Sequence, residues 1–127
     1  MPRRRSVPLT EAEQRLMEIV WSAGPLTVAG IVDALPEDEP LAYNSVQTMM
    51  KILEQKGYVR HREAGRAFVY STVVDRATAA RTALDYVTRR FFGGSAERVA
   101  LNLLEDEQLS GEQLERLRQT IERAKEQ

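Results

Sequence analysis

The strongest constraint on this fold is a change of period at Gly57. Before it, apolar residues recur at helical spacing; after it, they alternate. Thr10-Glu11-Ala12-Glu13 has capping-box spacing, with Thr10 as N-cap and Glu13 reaching back, and Ala12, Leu16, Ile19 and Val20 follow as one helical face until Ala23-Gly24-Pro25 stops the run. Thr27 caps a short second helix to about Leu35, with Val28, Ile31, Val32 and Leu35 apolar, and Pro36 to Pro40 is a loop by composition. A third helix is predicted from Asn44 to Gln55, ended by Lys56-Gly57. Its apolar positions are Val46, Met49, Met50 and Leu53; Asn44, Gln47, Thr48 and Lys51 form one opposite stripe. Tyr58 to Arg62 then reads as a strand, Glu63-Ala64-Gly65-Arg66 as a turn, and Ala67 to Ser71 as the returning strand. Val59 and His61 share one face of the first strand, and Phe68 and Tyr70 one face of the second.

The chain becomes helical again from Asp75, a cap for a long helix to Phe92 bearing Ala80, Leu84, Val87 and Phe91. Gly93-Gly94 breaks it, Ser95 starts a shorter helix to about Leu104, and Ser110 caps a last one whose seam is Leu114, Leu117 and Ile121. Such narrow seams bury little by themselves and want a partner. The order helix, helix, helix, hairpin is that of the winged helix-turn-helix, with the third helix placed in a DNA major groove and the hairpin as the wing. The predicted class is α+β and mostly helical, with an N-terminal winged helix at 1–74 and a C-terminal helical domain at 75–127.

Composition removes most other functions. Hydrophobic residues at 43% and charged residues at 29% describe a folded, soluble chain, and no apolar run is long enough to span a bilayer. Basic Met1–Arg5 is followed by no apolar stretch, so no secretory signal is read and the cytoplasm is the expected location. With no cysteine and one histidine, disulfides, thiol catalysis and cysteine- or histidine-rich metal sites are excluded; no cofactor or metal is expected. No nucleophile–base pair is visible, so no enzyme is predicted. Net charge is −1, but positions 41–90 hold nine basic and four acidic residues, whereas 11–40 hold one and seven. One face can therefore be basic while the whole is not.

The residues resemble the BlaI/MecI family of penicillinase repressors. The likeness begins with Leu9-Thr10, Glu13, Met17 and Trp21 and continues through Ala42-Tyr43-Asn44-Ser45-Val46-Gln47-Thr48. It includes Lys56-Gly57-Tyr58-Val59-Arg60-His61, Gly65-Arg66-Ala67-Phe68-Val69-Tyr70, Phe91-Phe92-Gly93-Gly94-Ser95 and Leu101-Asn102-Leu103-Leu104-Glu105. The resemblance implies a homodimeric repressor on inverted-repeat operators with TACA/TGTA half-sites, upstream of antibiotic-resistance or stress genes. It also implies inactivation by proteolysis of the dimerisation domain after a membrane sensor protease detects a β-lactam. The family's cleaved Asn–Phe bond corresponds to Asn102–Leu103, where the aromatic residue is absent. Ile52 stands where the family usually has Arg, so a phosphate contact is lost there or Ile52 packs against the C-terminal part. The cysteine cluster of copper-responsive relatives is missing.

On this fold Asn44, Ser45, Gln47, Thr48 and Lys51 form the direct-contact set for double-stranded DNA. Amides bond adenine edges in pairs, and Ser or Thr reaches a base or a phosphate. The plainer reading is a solvated face with Asn44 or Ser45 acting as helix caps. Arg62 and Arg66 flank the wing turn, where cations meet phosphates or the minor groove, and Arg3, Arg4 and Arg5 form either an arm or a frayed terminus. His61 is read as structural, Met17, Met49, Met50 and Trp21 as core, and Glu105-Asp106-Glu107 as a solvated loop. The dimer-interface set is Leu84, Val87, Phe91, Phe92, Leu101, Leu104, Leu114, Leu117 and Ile121, some of which must instead close the local core. The rival reading, from another class, is a winged-helix module that binds protein through the same surface without binding DNA.

Overall fold

The computed structural model describes residues 8–106 and 108–127, so the basic arm at Arg3–Arg5 and Glu107 of the acidic run lie outside the described residues. The order of elements is α1 (Glu11–Ala23), β1 (Leu26–Thr27), α2 (Val28–Ala34), α3 (Tyr43–Gln55), β2 (Val59–Ala64), β3 (Ala67–Thr72), α4 (Arg76–Phe91), α5 (Ala96–Asp106) and α6 (Gly111–Lys125). The predicted caps form. Thr10 accepts from the Glu13 amide at 3.2 Å while Glu13 Oε1 accepts from the Thr10 amide at 2.8 Å. Thr27, Asp75, Ser95 and Ser110 each accept an amide hydrogen bond from the residue three positions on.

Two-stranded pairing was expected; the sheet has three antiparallel strands in the order β1-β3-β2. The missed strand is the dipeptide Leu26-Thr27, paired with Tyr70 and Val69. Two residues carry no readable period. The wing turn is also tighter than expected: β2 and β3 pair as far as Ala64 opposite Ala67, leaving only Gly65-Arg66 between them. Gly65 has φ 65° and no other residue type among those described takes positive φ. A two-residue turn with glycine first is the hairpin connection whose twist matches that of the strands.

The core lies among α1, α2, α3 and the sheet. Leu16, Met17, Val20, Ile31, Val46, Met50, Leu53, Tyr58 and Tyr70 are buried within it. Met49 and Trp21 pack against this core half-buried, and the Trp21 indole is satisfied by donating to the Val74 carbonyl at 2.9 Å. α3 ends in a double closure: the Gly57 amide bonds the Glu54 carbonyl and the Tyr58 amide the Leu53 carbonyl, each at 3.0 Å. That closure turns the chain straight from the helix into β2 and fixes where the wing begins.

The chain divides into two compact units, Met1–Tyr86 and Val87–Gln127. The first turns of α4 belong with the first unit, where Ala79 is buried and Arg76 pairs with Glu18 at 2.7 Å. In the second unit α5 runs on through Glu105 and Asp106, which are helical rather than in the expected loop. Neither α5 nor α6 contains a fully buried residue among those described.

Candidate nucleic-acid interface

α3 begins one residue earlier than expected, at Tyr43, with Ala42 as N-cap and no side-chain cap. Asn44 and Ser45 are therefore inside the helix, and the reading of them as caps is corrected. Asn44, Ser45, Thr48 and Lys51 are all exposed, and their spacing of three and four places them along one side of the helix. Ile52 is exposed as well, one helical turn beyond Thr48 and two beyond Ser45. Its isoleucine side chain adds no charge there.

Gln47 is set apart from that stripe. It is half-buried and lines a groove of about 300 Å³ together with Tyr43, Arg66, Phe68 and residues of the β1–α2 junction. The structure thus brings Gln47 of the helix and Arg66 of the wing turn to one place. Arg62 goes elsewhere. It pairs in register with Val69, whereas His61 opposite Tyr70 and Glu63 opposite Phe68 share the other face of the hairpin.

His61 has the structural part expected of it: exposed at the β2 surface, it is held there on two sides. Its Nδ1 lies 2.6 and 2.8 Å from the two Glu54 carboxylate oxygens, and its ring stacks on Phe68 with centroids 4.3 Å apart. Both oxygens are acceptors, so Nδ1 carries the hydrogen. Behind α3, Lys56 donates to Glu13 Oε1 at 2.7 Å, joining the end of α3 to the start of α1. Burial pushes the Glu13 carboxyl up, but the Lys56 hydrogen bond and charge and the Thr10 bonds outweigh it, and the group sits below the usual carboxylate range.

Tyr43 and Phe68 are the residues that sequence reasoning passed over. Tyr43 is 48% exposed and Phe68 39% exposed, both large for aromatic residues of a small domain. Helical spacing places Tyr43 beside Gln47, which was the available signal. Phe68 was read only for its shared face with Tyr70, and alternation does not say how far from the core that face extends.

The sequence profile of the penicillinase repressor family matches residues 9–123. The chain belongs to that family. Its members are transcriptional repressors rather than enzymes. The penicillinase repressor of Bacillus licheniformis is 29% identical over 117 residues, covering 92% of this chain and 91% of that one. The methicillin resistance regulatory protein MecI of Staphylococcus aureus (strain N315) is 22% identical over 118 residues, covering 92% and 95%. The solution structure of the DNA binding domain of the repressor BlaI shares the fold at 24% identity and TM-score 0.53, covering 60% of this chain and 93% of that one. The N-terminal part of this chain has the winged-helix fold, with α3 as its third helix and the β2–β3 hairpin as the wing.

In the second unit the apolar residues expected at a dimer interface are largely uncovered. Phe91 is 70% exposed, and Leu101, Leu104, Leu114, Leu117 and Ile121 are exposed too; Phe92 is half-buried. Leu104, Leu117 and Ile121 line an apolar groove of about 380 Å³ with Ala100, Leu103 and Leu109. Leu84 and Val87 of α4 are also exposed. Asn102 donates to the Arg98 carbonyl at 2.8 Å, so the Asn102–Leu103 bond lies inside the regular turns of α5. Among the described residues no group of acids and histidine could hold a metal, and no helix is long and apolar enough to cross a membrane.

Proposed function

We propose that this repressor is a homodimer that binds an inverted-repeat operator, each subunit reading a TACA/TGTA-type half-site from the exposed side of α3. The observation that carries the reading is the polar stripe Asn44, Ser45, Thr48 and Lys51, exposed beside the wing in a chain of this family. Asn44 supplies an amide for an adenine edge, Ser45 and Thr48 supply hydroxyls, and Lys51 is the cation for a phosphate. Gln47 works from the groove side of the helix, Arg66 from the wing turn, and Arg62 from the far face of the wing.

Residues 1–74 bind DNA and residues 75–127 dimerise. Leu84, Val87, Phe91, Phe92, Leu101, Leu104, Leu114, Leu117 and Ile121 supply the apolar contacts between subunits. The exposed apolar seam on α5 and α6 supports this, because two short helices with no buried residue gain most of their stability from whatever covers them. A single winged-helix module makes a small DNA interface, of roughly 600–1,000 Å². Joining two subunits adds the second half-site at high effective concentration. Proteolysis of the dimerisation domain by a membrane sensor protease at Asn102–Leu103 would remove that gain and release the operator. Since proteases take extended substrates, cutting there requires a local opening of α5. The regulated genes are of the antibiotic-resistance or stress class, and the repressor acts in the cytoplasm.

The test is selection of duplexes from a random-sequence pool by the purified protein at about 50 and about 200 mM salt. An inverted repeat with two equal halves, bound with steep salt dependence, is the expected result. Recovery of no motif, with weak salt dependence, would overturn DNA reading in favour of a protein partner.

A further inference from the structure

We propose that the groove between the first turn of α3 and the wing turn is the seat for one sugar–phosphate strand of the duplex. Arg66 and Tyr43 donate to a single phosphate, and Phe68 packs on the adjoining deoxyribose. The inference rests on the DNA-reading function proposed above and assigns Tyr43 and Phe68 a part in it.

Three observations converge. First, the groove is built from both elements that touch DNA in a winged helix. Tyr43 and Gln47 come from α3, Arg66 and Phe68 from the wing, with Thr27 and Ala29 behind them. When a helix enters the major groove and a hairpin reaches past its edge, the thing between them is the strand that walls off the neighbouring minor groove. At about 300 Å³ and open to solvent, the groove is a place where that strand can lie.

Second, its chemistry suits a backbone rather than a base. The Arg66 guanidinium and Tyr43 hydroxyl make no hydrogen bond or ion pair with the described residues, so both donors are free at the groove. A guanidinium matches the geometry of phosphate oxygens, and a phenol adds one directed donor. The groove holds no carboxylate to repel the strand. An exposed aromatic face next to a cation is an apolar surface for a sugar, which offers neither charge nor a base edge.

Third, the apolar wall is set before DNA arrives. Phe68 stacks on His61 at 4.3 Å, and His61 is held by Glu54 of α3 at 2.6 Å. The ring therefore has little freedom left to lose on binding, which favours affinity. Phe68 is 39% exposed although a neighbouring ring is available to cover it, leaving its other side for a partner.

The test uses the duplex selected by the wild-type protein, remade with a neutral methylphosphonate in place of one phosphate at a time. One linkage per half-site should cost the wild type about tenfold in affinity. Tyr43→Phe and Arg66→Gln should each weaken binding to the unmodified duplex by about fivefold to tenfold, from loss of a hydrogen bond to a charged acceptor. Arg66→Gln should then lose most of the penalty for that one linkage, whereas Tyr43→Phe, which keeps the Arg66 contact, should retain part of it. Arg66→Gln should lower the salt slope by about one, and Tyr43→Phe should leave it unchanged. Phe68→Ala should weaken binding evenly across sequences; Phe68→Leu, which keeps apolar bulk in the wing, should recover part of the loss.

A shift in the selected bases with Tyr43→Phe or Arg66→Gln would overturn the seat, because these side chains would then be reading sequence. Undiminished sensitivity to every linkage in Arg66→Gln would overturn it too. Should the wild type select no duplex, the DNA-reading function itself fails. Should it select one and the variants bind normally, only the seat fails.

Discussion

His61 of β2 and Glu54 of α3 are joined through Nδ1 to both carboxylate oxygens, at 2.6 and 2.8 Å, and the His61 amide also bonds Glu54 Oε2 at 3.2 Å. Seven positions apart in sequence, they tie the hairpin to the helix it must work beside. The closure of α3 at Gly57 and Tyr58 sets where the wing starts, and this pair fastens β2 back to α3.

Breaking the tie should loosen the wing without altering the reading stripe. Glu54→Ala and His61→Ala should each reduce affinity for the selected duplex by about threefold, the scale of one exposed hydrogen-bonded contact, and the double variant should be no worse than either single. The salt slope should hold, because no phosphate contact is removed. Fully additive losses in a titration series of the four proteins would show that the two residues act separately.

Lys51 and Thr48 are neighbours on α3, and the proposed reading gives them different tasks. Lys51→Ala should weaken binding to all sequences alike and lower the salt slope by about one. Thr48→Ala should leave the slope in place and relax preference at one position of the half-site, at a cost of about 1–3 kcal/mol against the preferred base. Repeating the pool selection with each variant checks both. A Lys51 variant that changes the motif would reverse the assignment.

The Glu13 carboxylate makes stability depend on acid. Its pKa is held below the ordinary value, so its contribution is complete above that value and is lost as pH falls through the folded-state pKa. Glu13→Gln should cost about 1–3 kcal/mol at neutral pH, less than a fully buried pair, because Lys56 can turn out to water. Thermal unfolding of both proteins, followed down from neutral pH, should show their Tm values converging once the pH drops below the usual carboxylate range. A constant gap would mean that packing, rather than charge, holds Glu13.

Leu117 tests the second unit. Leu117→Asp places a charge on the apolar groove formed with Leu104 and Ile121. Sedimentation should report half the wild-type mass, and the salt slope on the selected duplex should fall by about half as one set of phosphate contacts is lost. Loss of helical signal in place of a clean monomer would assign Leu117 to the local core. Ile121→Asp, one turn further on, should reproduce the monomer.

The family, the helix order and most helix ends could be read from residues alone, because they are set locally. Thr10 with Glu13 is a cap wherever it occurs, Lys56-Gly57 ends a helix, and alternation after Gly57 specifies a hairpin. The polar stripe of α3 follows from 3.6-residue periodicity in the same way. These signals need no knowledge of what lies across the fold.

What the sequence left open depends on residues far apart in the chain. Leu26-Thr27 becomes a strand only because Val69 and Tyr70 arrive beside it. Gln47 leaves the reading stripe for the groove because the wing turn brings Arg66 to that side of α3, while the register that seats His61 over Tyr70 sends Arg62 to the opposite face. Tyr43 and Phe68, twenty-five positions apart, share a groove that no spacing rule could have matched. Local periodicity says which side of its own element a residue occupies. Only the packing of α3 against the sheet decides what that side meets, because burial and hydrogen bonding are satisfied between elements rather than within them.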